Sequence, residues 1–198
     1  MTRISMLPVS EWDPELRAIV AADEATTVEQ GMYRILAHTP GVAKAFAGFG
    51  AGLFANRRLP RRLVELVRLR VAFHNQCRSC MALRYHSAVD DGLTEGAVCS
   101  LEKPEEAADL SDAEKAALRY ADLSSTDHFS IDEKAFDALR VHFSEPEIVE
   151  LGVFIAFFIG FGRLSAAWSM TEDLPEGFQA DPSQIVAPWS QEAVLVRG

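Results

Sequence analysis

Hydrophobic positions recur at helical spacing along nearly the whole chain. Apolar side chains return every three or four residues, and no stretch shows strict alternation bounded by hairpin turn residues. The pattern predicts an all-α protein with helices at about 13–23, 28–38, 42–54, 60–74, 77–91, 94–101, 112–124, 131–142 and 146–170.

Local signals sharpen the second half of this prediction. Ser111, Ser130 and Ser144 are each followed three residues later by a glutamate, and such a capping box satisfies free N–H groups at a helix start. The acidic segment 101–110, which contains Pro104, is the best linker candidate. It separates two helical halves rather than two domains.

The length of 198 residues predicts one domain spanning 1–198, with a core at about 28–171. The tail at 172–198 is rich in proline and glycine and has weak periodicity. We expect it to pack on its own subunit or on a neighbouring one.

Composition and charge narrow the class of partner. Hydrophobic residues make up 48% of the chain, so a proper core is available, and the formal net charge is −10. An acidic surface repels phosphate backbones and anionic headgroups, so neither nucleic acid nor a membrane is expected as a partner. The apolar run at 151–162 is too short for a membrane span and is interpreted as a buried core helix. The first residues lack the pattern of a secretory signal, which favours a cytoplasmic location.

The chain has three cysteines, Cys77, Cys80 and Cys99. This number is too small and too odd for a secreted disulfide framework, and a close pair in a reducing compartment indicates redox chemistry or metal binding. Cys99 is interpreted as a small buried hydrophobe.

The cysteine pair begins the predicted helix 77–91, with Asn75 as its cap and Gly92 as its stop. Residues three apart on a first turn point the same way, so the two sulfurs are close enough to bridge. Free N–H groups there, together with Arg78 and Arg84, favour a thiolate. On a continuous helix Arg84 lies over the thiol face of Cys80, and a lowered thiol pKa is the resulting hypothesis.

Two histidines flank the pair, and with the cysteines they superficially resemble a zinc set. His86 should face away from both sulfurs on the predicted helix, so we predict no metal site. His74 lies at the helix junction, where it either accepts a proton or caps a helix end.

Glu65 lies among apolar residues of the preceding helix. One interpretation is a cavity-facing carboxylate with a raised pKa that shuttles protons. The simpler interpretation, which the sequence favours, is an ion pair with Arg61 or Arg68 about one helical turn away.

These elements together carry a family resemblance. Glu65 precedes the motif CRSC at 77–80 by twelve residues, and Gly92 follows the motif by twelve. The segment resembles the alkylhydroperoxidase D-like (AhpD-like) branch of the carboxymuconolactone decarboxylase family, and 151–168 with Arg163 resembles that family's C-terminal apolar helix. The resemblance implies an AhpD-like helical bundle, a symmetric homo-oligomer (trimer, hexamer or dimer), and no cofactor.

The resemblance also implies a chemistry. Cys80 would attack the peroxide, Cys77 would resolve the sulfenic acid as a disulfide, and Glu65 would help to relay a proton. The partners implied are a peroxide or another small-molecule substrate and a thiol or protein reductant.

Two positions depart from the family pattern. Ser79 and Arg84 stand where the resemblance implies histidines, and His86 lies two residues beyond the second of these positions. Because Arg84 stays protonated, it cannot act as a base at neutral pH. We therefore expect thiol reactivity with a weaker or differently driven peroxidase step.

Two further clusters have structural interpretations. Four arginines at 57, 58, 61 and 62 are interpreted as a solvated helix start or an interface salt-bridge network, neutralised by acidic groups of this chain or of a neighbouring subunit, rather than as an anion site. The aromatic stripe Phe154, Phe157, Phe158 and Phe161 is expected to pack in the core or between subunits rather than to line a substrate pocket.

The leading functional hypothesis is a thiol-dependent peroxidase or disulfide reductase. The alternatives are a cofactor-free lactone decarboxylase-type enzyme, which would not need the cysteines, and a non-catalytic redox-sensing oligomer.

Overall fold

Helices dominate the fold. The structure is a computed structural model that describes residues 2–179 and 183–197. The α-helices are α1 (Pro14–Ile19), α2 (Thr27–Gln30), α3 (Tyr33–Leu36), α4 (Pro40–Ala55), α5 (Arg61–Asn75), α6 (Arg78–Ala82), α7 (His86–Asp90), α8 (Glu95–Cys99), α9 (Asp112–Thr126), α10 (Glu133–Arg140), α11 (Glu145–Trp168) and α12 (Glu176–Gln179). Two short strands are β1 (Leu83–Tyr85) and β2 (Val194–Val196). The predicted all-α class is confirmed, with this small sheet as an addition.

Helix α5 is the centre of the core. It packs against α9 on one side and α11 on the other. Its residues Leu66, Val67 and Leu69 are fully buried, and burying such side chains is the main favourable contribution to folding. The core therefore fixes the end of α5, from which the cysteine segment departs.

Helix α11 contains the apolar run predicted as a core helix. Leu151, Phe154 and Ile155 are buried in the main hydrophobic cluster. Among the described residues, α11 is the one helix long and apolar enough to cross a bilayer by length and composition. Its contacts with α5, α9 and α10 identify it as a core helix.

Two of the three predicted capping boxes are present, those at Ser111 and Ser144. The box predicted at Ser130 is wrong, because α10 begins two residues later than predicted. Its N-cap is Asp132, whose carboxylate accepts from the Ala135 N–H at 3.1 Å. Asp132 therefore caps α10 in place of Ser130.

The predicted linker 101–110 is packed against the core. Two 3₁₀-helices, Ser100–Glu102 and Pro104–Glu106, occupy half of it, and Leu101, Pro104 and Leu110 are buried. The two helical halves thus share one core.

The continuous helix predicted at 77–91 is wrong. The chain leaves α6 after Ala82, runs extended as β1, and becomes helical again in α7. Strand β1 pairs in parallel with β2, with Leu83 opposite Val194 and Tyr85 opposite Val196. A partner strand near the end of the chain supplies the hydrogen bonds that replace those of the helix.

The described part of the tail packs on its own subunit. Residues 180–182 and 198 of the predicted tail lie outside the described residues, as does residue 1. Phe178 and Val186 are buried in a cluster with Met81 and Ala82. The Val186 N–H donates to the side chain of Gln76 at 3.0 Å. The tail therefore covers the cysteine segment.

The arginine-rich segment 57–62 contacts acidic groups of the same chain. Arg62 forms an ion pair with Glu114 of α9 at 2.7 Å, and the Glu150 carboxylate of α11 accepts from the backbone N–H of Arg58 at 2.9 Å. Among the described residues, Arg62 is the one arginine of the four that forms an ion pair, so the expected network is reduced to a single salt bridge within the chain.

Candidate active site

Cys77 and Cys80 form a disulfide bond, with their α-carbons 5.2 Å apart. The predicted proximity of the two sulfurs is therefore confirmed. The predicted Asn75 cap is wrong: Asn75 is the last residue of α5 and donates to the Phe158 carbonyl at 3.0 Å. Cys77 itself is the N-cap of α6.

The two cysteines differ in exposure. Cys77 is fully buried, whereas Cys80 is partly exposed and lines a cavity. A small molecule in this cavity therefore contacts Cys80 and not Cys77.

The cavity has a volume of about 510 Å³ and lies between α3, α4, α6 and α11. Phe157, Phe158 and Phe161 of the aromatic stripe contribute to its wall, while Phe154 lies in the core. The expected core packing is confirmed for Phe154 and Phe158, and Phe157 packs against the same cluster, but three members of the stripe also line the cavity. A mostly apolar cavity of this size is typical of a small-molecule site.

Glu65 forms a buried, two-bond ion pair with Arg68, at 2.6 and 2.7 Å. This confirms the ion-pair interpretation and selects Arg68 over Arg61. Arg68 reaches the cavity wall, whereas Glu65 is not among the lining residues. The Glu65 carboxylate therefore contacts a cavity-lining residue, Arg68, without lining the cavity itself.

Arg68 connects the ion pair to the cysteine segment. Its guanidinium donates to the carbonyls of Cys80, at 2.5 Å, and Leu83, at 2.9 Å, and lies 5.1 Å from the centre of the Tyr85 ring. Burial lowers the pKa of Arg68, but the Glu65 carboxylate outweighs it, and the pKa is raised above its ordinary value. A permanent cation thus holds the Cys80 backbone.

Two tyrosines face the same cavity. Burial, with a smaller contribution from Tyr85, raises the pKa of Tyr33 to about 12. Burial also raises the pKa of Tyr85, although the Arg68 charge opposes it. Both phenols are therefore neutral hydrogen-bond donors at neutral pH.

Ser79 joins the cysteine pair to α11. Its hydroxyl lies 3.5 Å from the Cys77 sulfur and 3.0 Å from the Ser165 hydroxyl. Both serines line the cavity, so they form a polar strip next to Cys80.

Arg84 does not lie over the thiols, and this part of the sequence prediction is wrong. The chain is extended at this position, and the buried side chain turns towards Glu95, at 3.0 Å, and the Pro188 carbonyl, at 2.8 Å. Arg78 likewise donates to the Gln184 carbonyl at 2.8 Å. Both arginines hold the tail in place.

The two histidines lie outside the cavity lining. His74 is 2.6 Å from the Asp122 carboxylate, which also accepts from Arg70. Burial raises the pKa of Asp122, but the hydrogen bonds from His74 and Arg70 outweigh it and lower the pKa. His86 is exposed on α7.

Cys99 is a free, exposed thiol, so its interpretation as a buried hydrophobe is wrong. No group of three His, Cys, Asp or Glu side chains within 2–179 and 183–197 is arranged to hold a metal ion.

The sequence prediction missed Tyr33, Tyr85 and Ser165 as cavity residues. Ser165 belongs to the apolar helix and Tyr33 to a distant short helix, and neither lies at a motif spacing from the cysteines. The sequence identifies Arg68 only as a candidate ion-pair partner of Glu65 and not as a cavity residue.

Comparison with solved structures defines the class of fold. A peroxidase-related protein of Ralstonia eutropha with an alkylhydroperoxidase AhpD core superposes with a TM-score of 0.75 at 19% identity, covering 90% of this chain and 94% of that one. A protein of unknown function from Agrobacterium tumefaciens gives 0.62 at 23% identity, covering 71% and 97%. A debrominase in complex with 2,3,4-tribromopyrrole gives 0.67 at 20% identity, covering 96% and 94%. The chain therefore has the AhpD-like fold.

Sequence comparison matches part of the chain to a family model. Residues 40–123, which include Glu65 and the cysteine pair, match the model of the carboxymuconolactone decarboxylase family. An uncharacterized protein found in two Mycobacterium tuberculosis strains is 38% identical over 111 residues, which is 55% of this chain. The matched segment spans only 38% of that relative's length.

Proposed function

We propose that the protein is a thiol-dependent oxidoreductase that reduces peroxides through a dithiol–disulfide cycle of Cys80 and Cys77. The observation that carries the proposal is the bonded pair at the cavity, with Cys80 at the cavity surface and Cys77 fully buried. A reacting thiol needs access to its substrate, whereas a resolving thiol needs access only to its partner.

The cycle begins from the reduced pair. The Cys80 thiolate attacks the distal oxygen of a hydroperoxide, an S–O bond forms, the O–O bond breaks, and the released alkoxide takes up a proton to become an alcohol. The Cys77 thiol then attacks the sulfenic sulfur, forming the S–S bond and releasing water. A thiol or protein reductant returns two electrons and two protons to the pair.

Glu65 assists this cycle through Arg68. Both carboxylate oxygens accept from the guanidinium, which in turn donates to the Cys80 carbonyl. The pair therefore positions the backbone of Cys80, the residue proposed to react.

Peptide mapping by mass spectrometry tests the proposal. We expect one equivalent of cumene hydroperoxide to consume two thiols of the reduced protein and to produce a Cys77–Cys80 bridge. The exposed thiol of Cys99 provides the matched control: Cys99→Ser should behave as the wild type, and Cys80→Ser should form no bridge. Oxidation confined to Cys99 would overturn the assignment.

A lactone decarboxylase-type activity is the second candidate, favoured by the family match of residues 40–123. Such a reaction needs an acid–base group at the cavity but no thiols, so the Cys77→Ser/Cys80→Ser variant would retain it.

A homo-oligomer, a cytoplasmic location and the absence of nucleic-acid or membrane partners complete the proposal. The acidic sequence and the family resemblance support these three points.

A further inference from the structure

Tyr33 and Tyr85 line the cavity, and neither hydroxyl has a hydrogen-bond partner among the described residues. Tyr33 lies on α3, with its ring 5.6 Å from that of Phe46, and Tyr85 lies on β1 beneath the Arg68 guanidinium. Within the part of the chain that the structure describes, no hydrogen bond joins either hydroxyl to another residue, although both residues line the cavity with Cys80. A tyrosine hydroxyl can both donate and accept a hydrogen bond, so these two are available to a ligand.

Phenylalanines form another part of the cavity wall. The Phe46 ring stacks on Phe157, with centroids 5.7 Å apart and planes 11° apart, and meets Phe161 at 4.5 Å. A dry cavity of about 150 Å³ is enough to hold benzene, and this cavity has about 510 Å³. Hydrogen peroxide would leave most of it filled with water, whereas a ring-bearing molecule would bury apolar surface against these phenylalanines.

The charges that line the cavity are already engaged. Arg34 pairs with Asp173 at 2.7 Å, and Arg68 pairs with Glu65 at 2.6 Å. Glu29, also in the lining, accepts from the Arg197 side chain at 3.1 Å. Each cation among the described lining residues therefore already has a carboxylate partner. An anionic ligand would be buried in the cavity without a counter-charge, which is costly.

We propose that the cavity binds a neutral, ring-bearing organic hydroperoxide, with the Tyr33 and Tyr85 hydroxyls donating hydrogen bonds to its oxygens. This inference rests on the proposed function and specifies its substrate class. As Cys80 attacks the distal oxygen, the S–O bond forms and the O–O bond breaks; the Tyr85 hydroxyl gives its proton to the leaving alkoxide and regains one from water. The raised pKa of both tyrosines keeps them protonated until that step.

Binding of the product alcohol tests the inference without turnover. Calorimetry on the oxidised protein would compare 2-phenyl-2-propanol with its para-carboxylate analogue. We expect saturable binding of the neutral alcohol, weakened about tenfold or more in Tyr33→Phe/Tyr85→Phe because two hydrogen bonds are lost. The carboxylate analogue should bind at least about tenfold more weakly than the alcohol.

The third tyrosine of the chain provides the matched control. Tyr120 packs on Phe136, with ring centroids 5.8 Å apart, and is not a lining residue. Tyr120→Phe should bind the alcohol as the wild type does. The phenylalanine variants keep the rings, so the Arg68 contact with the ring at 85 is retained.

Turnover then separates this inference from the proposed function. With cumene hydroperoxide we expect Tyr85→Phe to lower kcat, and the reduced wild-type protein to prefer this substrate over hydrogen peroxide. Equal binding by the double variant and the wild type, or equal binding of the carboxylate, would overturn the inference even if peroxides are reduced. Absence of all peroxide turnover with the binding pattern intact would overturn the proposed function and leave the ligand class standing.

Discussion

Replacing Glu65 by glutamine removes the negative charge from the ion pair beside the cysteines. Glu65 is 3% exposed and Arg68 7% exposed, so the Glu65→Gln variant leaves a guanidinium buried without a counter-charge. Removing one partner of a buried pair costs about 3–5 kcal/mol. Because glutamine keeps one hydrogen-bond acceptor for Arg68, we expect a loss near the lower end, about 3 kcal/mol of unfolding free energy.

Urea unfolding and thermal melting measure this loss directly. For a chain of this length, 1 kcal/mol corresponds to about 2–4 °C in Tm, so Tm should fall by roughly 6–12 °C. The matched control is Glu133→Gln, which breaks the solvent-exposed pair with Arg140 and should leave the melting curve unchanged. A loss of less than about 1 kcal/mol of unfolding free energy in Glu65→Gln would show that the buried Arg68 guanidinium does not need the Glu65 charge.

Three other changes test separate parts of the structure. Phe154→Ala empties a fully buried position and should lower the unfolding free energy by about 3–5 kcal/mol in urea titrations. Arg84→Met removes the hydrogen bond to the Pro188 carbonyl; we expect faster amide exchange in β2, and unchanged exchange would contradict the anchoring role. The Glu29 carboxylate, held by the Arg197 backbone N–H, has its pKa lowered to about 2, so its stabilising contribution is present above the ordinary value near 4.5 and is lost as pH falls through about 2. A Glu29 pKa near 4.5 by NMR titration would contradict this contact.

Short-range features of the site could be predicted from the sequence. The proximity of Cys77 and Cys80 follows from a separation of three residues at a helix start, and the structure contains that bond. The Glu65–Arg68 pair has the same separation on α5. In both cases the helix alone brings the partners together.

Features that depend on distant segments could not be predicted in this way. The break after Ala82 requires β2 as a pairing partner near the end of the chain, and without that break Arg84 is placed on the wrong side of the segment. Tyr33 lines the cavity from α3, which is far from Cys80 in the sequence. Tertiary contacts decide such positions, and local periodicity does not report them.

Trapping of a sulfenic acid is the measurement that tests the assignment of the two sulfurs most directly. The reduced Cys77→Ser variant would be treated with one equivalent of hydroperoxide in the presence of dimedone, and the labelled peptide identified by mass spectrometry. Because only Cys80 of the pair lines the cavity, we expect dimedone on Cys80, and no comparable label on Cys77 in the reduced Cys80→Ser variant. Labelling of Cys77 in Cys80→Ser, with Cys80 unlabelled in Cys77→Ser, would contradict the assignment of Cys80 as the reacting thiol.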